Sequence, residues 1–189
     1  MELRAKIEGL FAGQLGKIKD LHLREKVVEI WAKAAQKGGW KADDLEKIPF
    51  TLLVDTKGIS LIDHTIAVTE GALGLANSMR EHYEVMPFEI NYDWLIAGGL
   101  LHDVGKLLEI ERGGEGYRRS RYGRCARHPI SGAIIVAEAG LTEEVVNIVA
   151  CHSKEGEGRP KRVETVLIHH ADFATFEPIS MLDKGLLIL

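Results

Sequence analysis

Apolar side chains recur at helical spacing along most of this chain. Within residues 20–37 they fall at Leu23, Val27, Ile30, Trp31 and Ala34, the stripe of a helix with one buried face. Asp20 is placed to cap its start, and Gly38-Gly39 ends the pattern. Residues 40–60, with Pro49, Gly58 and little periodicity, predict a short helix and an irregular connection in which 50–54 is a candidate strand. A second amphipathic helix runs from a cap at Asp63 to about Tyr83, with Ile66, Ala72, Leu73, Ala76 and Met79 on one face and His64 in its first turn. A third helix opens near Asn91 or Asp93. Trp94, Leu95, Ala97, Gly98, Leu101, Val104 and Leu108 make it apolar nearly all round, which predicts a central, buried helix over 94–108 with His102 and Asp103 in its middle.

Residues 112–127 break the pattern with Gly113, Gly114 and Gly116, then five arginines over 118–127, and read as a loop. Pro129 then suits the first turn of a helix ending at Gly140. Thr142 caps the next, which reaches about His152. After a polar stretch over 153–159 and Pro160, a last helix carries Val163, Val166, Leu167, His170 and Asp172. The expected fold is all-α, a single-domain helical bundle.

Composition changes this picture little. A chain of 189 residues fits one domain, and 46% hydrophobic with 28% charged residues is ordinary for a soluble globular protein. A net charge of −4 argues against broad nucleic-acid binding, which needs a basic surface. Cys125 and Cys151 form no CxxC pair and suit a reducing compartment, as ordinary core or site-wall residues. The charged N-terminus has no signal-peptide core, and no apolar run is long enough to span a bilayer, so a cytoplasmic location and no membrane partner are expected.

Six residues on five successive helices carry the candidate chemistry: His64, His102, Asp103, His128, His152 and Asp172. A helical bundle can bring one or two such ligands from each helix to a common centre. Imidazole and carboxylate together suit one or two divalent transition ions (Fe, Mn, Co, Ni or Zn), whereas Mg favours an all-oxygen cage. Consecutive helical residues point about 100° apart, so His102 and Asp103 would flank an ion beside the helix. An ionised Asp103 buried in an apolar helix needs such a cation, or a hydrogen-bond partner, to be tolerated.

The string Leu101-His102-Asp103-Val104-Gly105-Lys106 resembles the HD-x-G-K signature of HD-domain phosphohydrolases. Asp63-His64-Thr65 resembles that family's first-histidine motif, and the stretch from His128 to Ala133 its H-P-x-x-G-A helix start; His152 and Asp172 complete the series. The resemblance covers about residues 60–177, leaving 1–59 as an N-terminal helical extension packed on the core and 178–189 as a tail. It implies an all-α fold with one metal held by His64, His102, Asp103 and Asp172, a second using His128 and His152, and Asp103 bridging them. It also implies hydrolysis of a phosphate ester by metal-activated water. Val104-Gly105 and the N-terminal region depart from the dinucleoside-polyphosphate hydrolases of the superfamily, so a nucleotide or related small phosphorylated substrate is expected without a choice among them. A homodimer is compatible with the sequence.

Lys106 lies four residues after His102 and on its face, where its ammonium can meet phosphate or, more plainly, pair with Glu109 or Glu111. Arg121, Arg124 and Arg127 lead into His128 and offer planar forks for phosphate oxygens, against the plainer reading of a solvated charge run. Asp103 and Lys106 are the candidate catalytic pair, and Lys106 with these three arginines the candidate substrate contacts. His169 or His170 is a candidate supporting residue for the metal ligands. Two rival functions share the ligand set: a di-iron oxygenase, and a nucleotide-binding regulatory module without turnover.

Overall fold

A computed structural model describes residues 2–114 and 116–189. Short helices α1 (Glu2–Leu10) and α2 (Ala12–Leu15) lead into α3 (Leu21–Gly38). Its start is capped by the Asp20 carboxylate, which accepts the Leu23 N–H at 3.1 Å, and its end by Gly39 in the left-handed region at φ 76°. A 3₁₀ turn, Ala42–Lys47, follows. Residues 50–54 form no strand; the segment is tied down by a single bridge between Pro49 and Ser60.

Helix α4 (Leu61–His82) starts from Ser60, not from Asp63. Ser60 Oγ accepts the Asp63 N–H and the Asp63 carboxylate accepts the Ser60 N–H, so Asp63 is the third helical residue of a reciprocal cap. Helix α5 (Tyr92–Leu101) is capped by Asn91 and is buried from Leu95 onward, as its apolar surface requires.

The helix expected over 94–108 is broken. Over 102–105 the backbone tightens into i→i−3 bonds, Val104 N–H to Leu101 O at 3.0 Å and Lys106 N–H to Asp103 O at 2.9 Å, before α6 (Lys106–Glu109). The break therefore puts His102 and Asp103 at the end of α5, not mid-helix. Tightening leaves the Leu100 carbonyl without its helical amide, and the Trp31 indole N–H donates to it at 2.8 Å. The Trp40 indole N–H donates likewise to Leu107 O at 2.8 Å.

A hairpin stands where a loop was expected from residue 112: β1 (Ile110–Gly113) pairs antiparallel with β2 (Gly116–Arg119), with Ile110 opposite Arg119. Then come α7 (Arg121–Cys125), α8 (His128–Glu138), α9 (Glu143–Cys151), a 3₁₀ turn Lys154–Gly156 and α10 (Val163–Asp183). Helix α10 crosses residue 177 without interruption, so the expected boundary there falls inside a helix. Cys125 is exposed on α7 and not part of the core. One apolar core joins Ile7, Phe11 and Trp31 of the N-terminal helices to Leu95, Leu100, Ile148 and Ile168. No helix among the described residues is long and apolar enough to cross a membrane.

Candidate metal centre

The six candidate ligands are delivered by five pieces of this scaffold. His64 sits in the first turn of α4, His102 and Asp103 in the tight turns after α5, His128 at the start of α8, His152 just past α9, and Asp172 midway along α10. The fit of α8 against these turns depends on Gly105. A Cβ there would lie 2.2 Å from His128 O and 2.7 Å from Gly132 N, so only glycine lets the start of α8 approach the Asp103 turn.

Asp103 is the hub. Its Oδ2 lies 3.4 Å from His64 Nε2 and 3.3 Å from His102 Nε2. Its Oδ1 lies 3.2 Å from His128 Nε2 and 3.8 Å from His152 Nε2. Asp172 Oδ1 approaches His64 Nε2 to 3.1 Å. The donor atoms fall into two buried groups able to hold a metal ion, His64–His102–Asp103 and Asp103–His128–His152.

Two further observations fit an ion. His64 Nε2, His102 Nε2, His152 Nε2 and Asp103 Oδ1 are buried without a hydrogen-bond partner, although close packing of these groups would make partners easy to find. The opposite ring nitrogens of three imidazoles are anchored: His102 Nδ1 on Gly99 O at 2.6 Å, His152 Nδ1 on Val149 O at 2.8 Å, and His128 Nδ1 on Glu109 Oε2 at 2.9 Å. As N–H donors at Nδ1, these rings present the Nε2 lone pair to the centre, as ligating histidines do.

The charges match. Burial alone would raise the Asp103 carboxyl, but Lys106, His102 and His128 hold it well below the usual carboxylate range. Against the same effect of burial, the His64 contact lowers Asp172. Burial pushes His128 below the ordinary imidazole value, whereas for His64 the carboxylates of Asp103 and Asp172 outweigh burial and raise it. Lys106 pairs with neither Glu109 nor Glu111; its Nζ donates to Asp103 Oδ2 at 2.5 Å.

A cavity of about 190 Å³ opens onto His64, His128 and Asp172. Of the three arginines expected there, only Arg127 lines it; Arg121 and Arg124 are exposed elsewhere on α7. That helix lays Gly123 against the Glu109 backbone, where a Cβ would meet Glu109 O at 2.6 Å. Arg119, from β2, lines the cavity with Arg127, and both approach Glu109 Oε1, at 3.4 and 3.9 Å.

The HD-domain family model matches residues 61–174. The chain belongs to the HD-domain family. Among curated proteins, this HD chain is 33% identical over 163 residues to the dihydroneopterin 2′,3′-cyclic phosphate phosphodiesterase of Methanocaldococcus jannaschii, an alignment covering 83% of this chain and 64% of that one. It is 34% identical over 83 residues to ribonuclease Y of Thermosipho melanesiensis, covering 44% of this chain and 14% of that one. With ribonuclease Y of Pseudothermotoga lettingae it shares 30% identity over 115 residues, 61% of this chain and 18% of that one. No solved structure matches it significantly.

The HD motif is silent on two residues that the structure brings to the site. Glu109 is a buried carboxylate that accepts both the backbone N–H and the Nδ1–H of His128, at 2.7 and 2.9 Å. Its signal was an acid set in the apolar stretch Leu107-Leu108-Glu109-Ile110. Arg119 carried no signal distinguishing it from the other arginines. Of the two histidines before Asp172, His169 faces inward, its Nδ1 2.6 Å from His152 O, and His170 is exposed.

Proposed function

We propose that this HD-domain chain hydrolyses a phosphate ester of a nucleotide or a related small molecule. One divalent transition ion would be held by His64, His102, Asp103 and Asp172, and a second by His128, His152 and Asp103. The observation carrying this reading is the division of Asp103 between two imidazole groups, one on each carboxylate oxygen. Bound there, such ions supply Lewis acidity toward phosphoryl oxygens and lower the pKa of water to near neutrality.

The chain's own residues do the rest. Asp103 fixes the spacing of the two ligand groups, and Glu109 orients His128. Lys106 lines the cavity with Arg127 and Arg119, where the three would neutralise the phosphoryl group. An anionic substrate accounts for this cationic lining, which an oxygenase acting on a neutral substrate does not need. The names of the relatives, a cyclic phosphate phosphodiesterase and a ribonuclease, both describe cleavage of phosphodiesters. The chain spans 64% of the first relative's length.

The test is reconstitution of the purified chain with Mn or Fe(II), measurement of bound metal, and a screen against cyclic and linear phosphoesters. Metal-dependent release of phosphate or opening of a cyclic phosphate is expected. Failure to bind any divalent transition ion with all six residues intact rejects the proposal.

A further inference from the structure

The cavity walls have two origins. Lys106, Arg119 and Arg127 lie within the segment that matches the HD domain, whereas residues 50–53 and Phe176 lie outside it. Those two outside segments meet beside the metal centre. The Phe50 ring stacks on His64, centroids 4.5 Å apart and 24° from parallel, and meets the Phe176 ring in a T-shaped contact at 6.3 Å. Phe173, one turn earlier on α10, lines the same cavity.

Residues 51–53 turn sharply there, with the Leu53 N–H donating to Thr51 Oγ1 at 3.2 Å. Thr51 is buried, while Leu53 is 67% and Leu52 37% exposed. Two adjacent leucines left in water at a cavity wall, next to two phenylalanines, form an apolar surface continuous with the charged centre. A phosphate alone has no use for it.

We propose that Leu52, Leu53, Phe173 and Phe176 form a wall that selects phosphate esters carrying a planar aromatic heterocycle. The ring lies on this wall while Lys106, Arg119 and Arg127 hold the phosphate. Phenylalanine faces stack on a π-system of any sequence or substituent pattern. Both sets of residues line one cavity, so ring and phosphate belong to one small molecule. This inference rests on the phosphoester reading above, and its test is independent of turnover.

The purified chain is titrated calorimetrically with two phosphonates whose carbon–phosphorus bonds resist hydrolysis, one on a purine nucleoside and one on ribose alone. The purine compound should bind roughly tenfold more tightly, the usual scale of one base stacked on an aromatic side chain. Leu53→Ser and Phe176→Ala should each remove most of that advantage, and Leu53, being largely exposed, is replaceable without loss of fold. Equal affinity of the wild-type chain for both phosphonates overturns the inference, as does full retention of the advantage in both variants. A ring-dependent affinity in a chain that hydrolyses no phosphoester supports the wall and defeats the hydrolase reading. Turnover with no ring-dependent affinity does the reverse.

Discussion

A carboxylate ringed by four imidazoles and an ammonium is stable in a protein interior only while its charge is matched. Asp103→Asn keeps the volume but removes that charge and one of the two anionic oxygens, so two cations would repel one another without a screen between them. Hydrolysis is expected to fall by several orders of magnitude with bound metal reduced, while circular dichroism stays helical, because a neutral amide is tolerated in the core. A folded, active variant with unchanged metal content would remove Asp103 from the centre. The imidazoles give a second prediction, for the metal-free protein. Opposite shifts place the His64 midpoint above, and the His128 midpoint below, the ordinary value of about 6.5. The proton on His64 therefore contributes stability that is full below that ordinary value and is lost as pH rises through the folded midpoint. Neutral His128 contributes stability that is present above the ordinary value and lost as pH falls through its own depressed midpoint. Proton NMR titration of the assigned imidazoles checks the order, and coincident or reversed midpoints refute it. Among the arginines, Arg127→Ala should raise the substrate KM by about tenfold, as loss of one charge-assisted contact does. Arg121→Ala and Arg124→Ala should leave it unchanged, since both side chains are exposed away from the cavity. The six ligand candidates were legible because their order along the chain is itself a pattern. Glu109 was not, because in sequence it reads as a partner for Lys106, and only the fold turns it toward His128.

The elements that could be read correctly are those with local causes. Asp20 and Gly39 bound α3 through their own side-chain oxygen and backbone freedom, with nothing needed from elsewhere. The break at 102–105 has distant causes. Apolar residues run through 94–108 without a period that could mark an end, and the carbonyls exposed on either side are satisfied by indoles from residues 31 and 40. The hairpin of β1 and β2 was hidden for another reason: its pairing is made by the backbone, under glycines and charged side chains that carry no alternation. The close crossing at Gly105 offers the test at this scale. In Gly105→Ala the added methyl meets backbone atoms of α8, which have no flexible end to yield, so α8 must move as a unit. Overpacking of this kind costs about 1–3 kcal/mol. A lowered Tm together with weakened metal binding is expected, because the same displacement carries His128 away from Asp103. A variant with both unchanged would show that the crossing does not set the site.

At the scale of the molecule, residues 2–59 share one core with the segment that matches the HD domain. A chain beginning at residue 60 would lose Ile7, Phe11, Ile18, Val27, Ile30 and Trp31, all fully buried, as well as both indole donors. Such a chain should show no cooperative thermal transition by circular dichroism, and a sharp transition near that of the full chain would mean that the two parts fold independently. The indole bonds carry one more consequence, which is optical. The chain has three tryptophans, and two of them hold the carbonyls on either side of the turn that carries His102 and Asp103. An indole's emission depends on the polarity around its N–H, so any shift of that turn when a cation enters is written into the intrinsic fluorescence of the unlabelled protein. Occupancy of the centre can then be followed in real time without a dye, a chromogenic substrate or a coloured metal.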